Sequence, residues 1–368
     1  MSFLKGFFAS KSIVGGLDIG TQFIKVMQLS KTASGYQLEK IGAEATPPMC
    51  IKDGVVINAD ILSESIKRVL ETNKININKV ITAVAGPSVV MRPINMAVMT
   101  EKELQNAIKF EAERYLPYSV EDASIKGTIL RKPIEGDEKN MEVLLVAAPN
   151  DLINKCAEAI KKSSLEIASI DLEPFAMIRA LQSGIDPEKF KQTIALIDLG
   201  ASTSSINIFK EGILRHNRTI NIAGNNFTKA IAQALNLSFE EAEKIKKDKG
   251  VIKLGEDSTP MSPTAMRIFN VVTPVLGELL TEIQRSFDYY RSRYKNENID
   301  LIIISGGSSN FANIDAYINK ELGVEVKRAN PFANIFLDKA EGLTKEQINE
   351  FSASFTVCAG LAIKQFLQ

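Results

Sequence analysis

Two short runs of small and acidic residues occur at corresponding places in the two halves of the chain. Residues 13–29 read IVGGLDIGTQFIKVMQL, and residues 194–209 read IALIDLGASTSSINIF. In each run an apolar strand leads into Asp-x-Gly with a hydroxyl residue close behind, and a second apolar strand follows. Two strands joined by a glycine-containing turn are typical of a β-hairpin. We therefore expect two equivalent hairpins, each with a carboxylate at its turn.

Such turns have a definite chemistry. Free backbone N–H groups in a turn form a concave site for phosphate oxygens, and glycine allows the backbone to approach them closely. Asp18 and Asp198 would hold Mg²⁺ through its water shell, because this ion keeps several waters. One Asp-x-Gly turn is common and means little. Two in matching halves favour a phosphate clamp between two lobes.

A third glycine-rich element lies further along the chain, where residues 301–311 read LIIISGGSSNF. The apolar run indicates a central strand buried on both faces. We predict a helix from about Asn310, directly after the Gly-Gly turn. A turn at a helix N-terminus can approach a nucleotide closely. The same pattern also fits an ordinary strand-to-helix turn of an α/β protein.

Composition argues against several classes of protein. The 368 residues include 44 Lys plus Arg and 44 Asp plus Glu, so no net positive field is available to hold nucleic acid. The only histidine is His216, which argues against a catalytic triad or a histidine-rich metal site. Cys50, Cys156 and Cys358 are far apart and indicate reduced thiols in a reducing compartment. No run of about 18 apolar residues occurs, so we expect no transmembrane helix.

Strands and helices alternate along the rest of the chain. This alternation predicts an α/β protein with mixed sheets and, at this length, two lobes. The predicted strands are 80–85, 142–148 and 167–172. The predicted helices are 61–73 after Asp60, 101–115, 151–162 after the cap Asn150, 174–182 and 265–294. Two more helices are expected within residues 225–249. Thr100 with Glu103, and Ser238 with Glu241, form capping boxes at two helix starts.

Taken in order, these motifs resemble those of actin, hexokinase and the heat-shock chaperones. The shared order is a hairpin with Asp-x-Gly, a strand-to-helix joint, a second such hairpin and a Ser-Gly-Gly turn. The resemblance covers nearly the whole chain. It implies an α/β, actin-like two-lobed fold made of ribonuclease-H-like repeats, with ATP and Mg²⁺ in the cleft between the lobes.

The same resemblance assigns residues to the site. Those implied around ATP are Asp18, Gly20, Thr21, Gln22 and Lys25 in the first phosphate loop, Asp198, Gly200, Ser202 and Thr203 in the second, Glu243, Lys246 and Lys247 near the ribose and adenine, and Ser305, Gly306, Gly307 and Ser308 in the adenosine loop. Glu173 matches the joint residue that positions the attacking water or Mg²⁺, and with Asp198 it is the catalytic candidate. The implied ATPase activity is slow at most.

Some of these residues also have simpler interpretations. Lys25 taken alone could be a solvated lysine on a strand. The run EAEKIKKDKG, which contains Glu243, taken alone would be a solvated helix face. Gln22 and Ala201 stand where relatives often have small polar residues, which leaves the contacts to the γ-phosphate open.

A narrower resemblance is to the PilM family of type IV pilus assembly factors and to its division relative FtsA. It rests on residues 89–130, and AIKFEAERYLPY at 107–118 is its most specific part. It implies an inserted subdomain, called 1C, in the first lobe. The boundaries that we expect are 1–88 and 166–193 with the C-terminal helix 352–368 for subdomain 1A, 89–165 for 1C, 194–224 and 275–351 for 2A, and 225–274 for 2B.

The narrower resemblance also implies a partner and a location. A groove between 1A and 1C would bind the N-terminal cytoplasmic peptide of PilN, an inner-membrane protein, and would hold the chain in the cytoplasm at the inner face of that membrane. Met91, Pro93, Met96 and Met99 could line this groove or fill the core. Self-association into a homo-oligomer is also expected to be possible.

Other functions remain open from the sequence. An FtsA-like polymer would end in a linker and an amphipathic membrane helix, whereas this sequence stops after the helix that closes the fold. A sugar-kinase-like phosphotransferase needs a further catalytic aspartate and a sugar pocket, for which no residue stands out. A type II secretion domain would continue into a transmembrane helix.

Overall fold

Two large β-sheets divide the chain into two halves, and each half begins with one of the predicted hairpins. The computed structural model describes residues 13–133, 138–255, 261–295, 297–338 and 344–367. Within these residues no helix is long and apolar enough to cross a membrane. The three cysteines are buried as free thiols.

The first half alternates strands and helices as predicted. Its elements are β1 (Val14–Ile19), β2 (Phe23–Lys31), β3 (Tyr36–Ala45), β4 (Ile51–Lys52), β5 (Val55–Val56), α1 (Ala59–Thr72), β6 (Lys79–Val84), β7 (Val90–Ala97), α2 (Glu101–Ala112), β8 (Ala123–Arg131), β9 (Asn140–Pro149), α3 (Asn150–Lys162), β10 (Glu166–Leu172), α4 (Glu173–Leu181) and α5 (Pro187–Phe190).

The second half contains one much longer helix. Its elements are β11 (Thr193–Leu199), β12 (Ser204–Lys210), β13 (Ile213–Ile220), α6 (Gly224–Leu235), α7 (Phe239–Lys249), α8 (Pro263–Arg293), β14 (Leu301–Ser305), α9 (Ile314–Leu322), β15 (Glu325–Arg328), β16 (Ile335–Phe336), α10 (Lys345–Phe351) and α11 (Thr356–Lys364).

The two large sheets are built around their hairpins in the same way. The first has the order β10-β6-β1-β2-β3-β16, and the second has the order β13-β12-β11-β14-β15. In each hairpin the first strand pairs antiparallel with its partner and, on its other side, parallel with a later strand. Both Asp-x-Gly turns therefore lie at the carboxyl ends of central strands, where α/β proteins commonly bind ligands.

A hydrophobic core surrounds the central strands of the second sheet. Every residue of β14 is buried, as its continuous apolar run predicted. Helix α8 packs its apolar stripe against this second sheet, and Leu279, Ile283 and Phe287 are almost fully buried. The stripe is therefore part of the core, as its helical spacing indicated.

A third, smaller sheet lies within the first half and has the order β7-β9-β8. Helix α2 packs on it through Leu104, Ile108 and Ala112, which are fully buried. Its start is fixed by the predicted capping box, since Thr100 accepts from the Glu103 N–H and Glu103 accepts from the Thr100 N–H. The bounds of the subdomains themselves stay a prediction.

Candidate functional site

The two Asp-x-Gly turns meet in space. The Ser202 Oγ hydroxyl of the second turn donates to Thr21 Oγ1 of the first at 3.2 Å. Both turns close with the same backbone hydrogen bond, from the Gly20 N–H to the Phe23 carbonyl at 3.0 Å and from the Gly200 N–H to the Thr203 carbonyl at 3.2 Å. The turns are therefore structural equivalents, and we call the region where they meet the cleft.

Glycine is required where these loops pass closest to other backbone. A Cβ at Gly200 would lie 2.6 Å from the Thr203 carbonyl oxygen. Gly306 has φ +83°, and a Cβ there would lie 2.5 Å from the Leu199 carbonyl oxygen. Residues with a side chain rarely adopt such a φ, and neither position has room for a Cβ atom. The glycines thus keep the third loop pressed against the second turn.

The carboxylates at the two turns have different partners. Asp18 is 7% exposed and pairs with the Lys25 ammonium at 2.9 Å, across the hairpin. Burial alone would lower the pKa of Lys25, but the contact with Asp18 outweighs it and the pKa is raised. Asp198 accepts a hydrogen bond from Ser305 Oγ at 2.7 Å, and burial raises its pKa above the usual range.

Glu173 joins this group from the base of the cleft, at the first turn of α4. Burial, followed by the nearby charges of Asp18 and Asp198, raises its pKa to about 8. A carboxyl group with such a pKa can hold or release a proton near neutral pH. Glu173, Asp198, Asp18 and Lys25 thus form one electrostatic cluster.

The third loop also reaches the second turn. Ser308 Oγ donates to the Gly200 carbonyl at 2.8 Å. The predicted helix from Asn310 is wrong, because residues 307–310 form a single 3-10 turn and α9 starts at Ile314. The left-handed backbone of Asn313, with φ 69°, separates the two. The Gly-Gly turn therefore approaches the cleft as a loop rather than as the N-terminus of an α-helix.

Helix α7 brings three more predicted residues to the cleft. Glu243 accepts hydrogen bonds from Gln22 Nε2 at 3.2 Å and from Lys246 Nζ at 2.6 Å. Although burial opposes ionisation, Lys246 and the neighbouring donors lower the pKa of Glu243 to about 2. Lys247 Nζ lies 5.6 Å from the centre of the Phe23 ring. This charged helix face is thus engaged with the opposite lobe and is more than a solvated surface.

Sequence reasoning missed two residues of the site. A Cβ on Gly224 would lie 2.3 Å from Ser308 Oγ, and the Gly224 carbonyl accepts from Lys246 Nζ at 3.2 Å. Thr228 Oγ1 accepts from Lys246 Nζ at 2.8 Å and donates to Glu243 Oε2 at 2.5 Å. The glycine at the start of α6 was a possible signal, since helix N-termini are anion sites.

The donor set fits a nucleotide with hydrated Mg²⁺. Backbone turns and hydroxyls converge on one cleft, with the Lys25 cation and the Asp18 and Asp198 carboxylates beneath them. In the described part of the chain no group of three or more His, Cys, Asp or Glu residues could enclose a metal ion. Two carboxylates suit Mg²⁺, which retains several of its waters and is commonly held by one or two carboxylates.

Two comparisons of sequence concern nearly the whole chain. The family described as "Type IV pilus assembly protein PilM" matches residues 16–366. The cell division protein FtsA of Pseudomonas aeruginosa strain PAO1 is 27% identical over 335 residues, which covers 82% of this chain and 78% of that protein. The pilus and division resemblances seen in the motifs are both reproduced.

Comparison with solved structures supports the same fold. The "PilM-PilN type IV pilus biogenesis complex" contains a chain that superposes with a TM-score of 0.83 at 26% identity, over 95% of this chain and 98% of that one. MreB 5 of Spiroplasma citri, solved with AMPPNP bound, superposes with a TM-score of 0.55 at 16% identity, over 97% of both chains. The actin-like two-lobed fold is thereby confirmed.

Proposed function

Because the chain belongs to the PilM family of type IV pilus assembly proteins, we propose that it is the ATP-binding scaffold of the pilus inner-membrane assembly complex. In this proposal it binds the N-terminal cytoplasmic peptide of PilN, and its nucleotide state controls that role. The observation that supports nucleotide binding best is the meeting of two equivalent Asp-x-Gly turns, joined by the Ser202–Thr21 hydrogen bond.

Different residues of the cleft would bind the phosphates, the Mg²⁺ ion and the nucleoside. The turn backbones, with Thr21, Ser202 and Thr203, would donate to the phosphates, and the Lys25 ammonium would balance their charge. Asp18 and Asp198 would hold Mg²⁺ through its waters, and the bound ion would neutralise phosphate charge. Glu243 with Lys246 and Lys247, and the loop from Ser305 to Ser308, would surround the nucleoside.

Nucleotide state can act through the contacts that now cross the cleft. Gln22 donates to Glu243, and Ser202 donates to Thr21, directly between the lobes. A nucleotide between the turns would replace these hydrogen bonds with bonds to its own oxygens. ATP can then shift the lobes only as far as its affinity differs between the two arrangements. Glu173 would orient a water, and turnover would be slow at most.

A small groove is the candidate site for the partner peptide. It has a volume of about 300 Å³ and lies between the start of α1 and α3, which the predicted boundaries assign to 1A and 1C. Ile57 lines it with 58% of its surface exposed, beside the charged Lys155 and Glu158. An exposed apolar residue with polar neighbours suits a short peptide. Through PilN the protein would lie at the inner face of the membrane.

The four residues that the sequence suggested for this groove lie elsewhere. Met91 and Pro93 line a different groove, and Met96 and Met99 pack against the core under α2. They are therefore not part of the proposed PilN site. Met91 and Pro93 lie two residues apart on one face of β7, whereas Met96 is on the opposite face and Met99 follows the strand.

Calorimetric titration with the PilN N-terminal peptide tests the proposal. We expect binding that Ile57→Ser weakens about tenfold, since roughly 1–2 kcal/mol of apolar contact is lost. Ile61→Ser is the matched control, because Ile61 lies in α1 four residues further along the chain and is 48% exposed, but it does not line the groove. No binding to the unaltered chain, with or without Mg-ATP, would overturn the partner assignment.

A further inference from the structure

A second and larger groove lies away from the nucleotide cleft. It has a volume of about 600 Å³ and runs between β7 of the small sheet and β13 with α8 of the second half. Both β7 and β13 are edge strands of their sheets. A groove between two sheet edges favours an extended occupant over a compact one.

The lining of this groove, the arginine groove below, is strongly basic. Its arginines are Arg92, Arg215, Arg218, Arg285 and Arg293, and no acidic residue lines it. Two carboxylates contact these arginines. Glu142 pairs with one at 2.5 Å, and Glu282 pairs with two. Five guanidinium groups against two carboxylates leave three positive charges in excess, in a chain whose formal net charge is zero.

Two of these cations have no carboxylate partner among the described residues. Arg92 lies over the Tyr115 ring at 4.8 Å, and Arg293 donates to the Pro93 carbonyl at 2.9 Å. Both side chains are exposed. Unpaired guanidinium groups beside a groove are ready to accept carboxylates from outside, and they bind them in bidentate geometry.

The spacing of the arginines distinguishes between acidic ligands. Arg285, Tyr289 and Arg293 follow one face of α8, so the two guanidinium groups leave the helix about 12 Å apart at 1.5 Å per residue. In an extended peptide, side chains four residues apart on one face are about 13 Å apart. A compact anion such as a triphosphate is shorter than this distance. The arrangement therefore matches carboxylates spread along an extended chain.

We propose that the arginine groove binds an acidic, extended peptide segment of a partner protein. Its glutamate or aspartate side chains at alternate positions would pair with the unpartnered Arg92 and Arg293 and with Arg285, which shares Glu282 with Arg218. Its backbone would follow the groove between β7 and β13. This site is separate from the nucleotide cleft and from the proposed PilN groove. Its occupant would join the small sheet to the second lobe, because the groove has one wall on each.

Fluorescence anisotropy with the full chain tests this site. The probe is a labelled, end-blocked heptapeptide that alternates glutamate and threonine, and its glutamine counterpart is the control peptide. We expect the glutamate peptide to bind in 50 mM salt and to lose at least about tenfold in affinity in 500 mM salt, because screening removes charge attraction. Equal binding of the glutamine peptide, or binding that salt does not weaken, would overturn the proposal.

Variants locate the binding. We expect R285Q/R293Q to weaken the glutamate peptide about tenfold or more, since two charge-assisted contacts are lost. Arg68→Gln is the matched control, because Arg68 is an exposed arginine that pairs with Glu44 on another part of the surface, and it should change the affinity less than about twofold. Arg92→Gln gives a second test should the double variant lose its fold by circular dichroism.

Tests with two other anionic ligands, tripolyphosphate and phosphatidylserine vesicles, distinguish the peptide from a compact anion and from a membrane. Tripolyphosphate that displaces the peptide at equimolar concentration would indicate a compact anion site and would overturn the extended-peptide assignment. Retention on phosphatidylserine vesicles that R285Q/R293Q abolishes, without peptide binding, would indicate a membrane surface instead. The PilN peptide should bind R285Q/R293Q unchanged, so a failure here is distinguishable from a failure of the proposed function.

Discussion

The two hairpin turns close with the same backbone hydrogen bond, but their aspartates have different partners. In the first, Asp18 faces Lys25 on the next strand and forms an ion pair. In the second, Ser205 occupies the position of Lys25, and Asp198 relies on the Ser305 hydroxyl from β14. The two hairpins thus share the turn but differ in charge. The first contains an ion pair, whereas Asp198 forms none with the residues that the structure describes. This difference suits a ligand that brings both phosphates and Mg²⁺.

Removing the cation should have the largest effect on stability. Lys25→Met leaves the buried Asp18 carboxylate uncompensated, which we expect to lower the free energy of unfolding by about 3–5 kcal/mol. Urea denaturation followed by circular dichroism measures it. The double variant K25M/D18N should recover most of the loss, because the unpaired charge is gone. A loss below about 1 kcal/mol in K25M would mean that the two hairpins do not differ in this way.

The two turn glycines offer a sharper comparison. A Cβ at Gly200 would lie 2.6 Å from a backbone oxygen, whereas one at Gly20 would lie 3.0 Å from the equivalent oxygen. We expect Gly200→Ala to cost about 2–3 kcal/mol and Gly20→Ala about 1 kcal/mol, because the shorter contact in the second turn forces a larger shift of the backbone. Thermal unfolding of both variants measures the difference. Equal losses would show that the two turns are equally tight.

His216 lies outside the cleft, and its contribution to stability is smaller and depends on pH. Burial, then the charges of Arg218, Arg293 and Arg92, lower its pKa to about 4 from an ordinary 6.5. Tyr289 of α8 packs against its ring. The unfolded chain therefore takes up this proton first, so the stability from the neutral imidazole is present above pH 6.5 and is lost between pH 6.5 and 4.

The test of this pH dependence uses the only histidine in the chain. We expect the unaltered protein to lose about 1–2 kcal/mol more than His216→Gln between pH 6.5 and 4.5, after a discount for partial exposure. Urea denaturation at both pH values measures it. Parallel curves for the two proteins would show that the histidine titrates normally in the fold.

Local patterns were sufficient to predict the hairpins and most helices. The Asp-x-Gly turns, the capping box at Thr100 and the apolar stripe of α8 each depend on residues close in sequence. The helix predicted directly after the Gly-Gly turn at Gly306 starts later than expected, because the chain first makes a 3-10 turn. Nothing in the residue types signals this extra turn.

Some features assembled from distant segments were not predicted. Thr228 and Gly224 reach the cleft only because α6 packs against α7 and the third loop. The arginine groove collects residues from β7, β13 and α8, and the overall charge balance conceals it. Such sites depend on how the elements pack, which spacing along the chain does not encode.

Calorimetric titration of Mg-ATP tests the central claim, that the paired turns form a nucleotide clamp. We expect the unaltered chain to bind and Asp198→Ala to bind at least about 100-fold more weakly, because the carboxylate that holds the hydrated ion is gone. Asp315→Ala, which removes an aspartate paired with Arg328 on another part of the surface, is the control and should bind normally. If Asp198→Ala retains the affinity of the unaltered chain, the clamp is wrong.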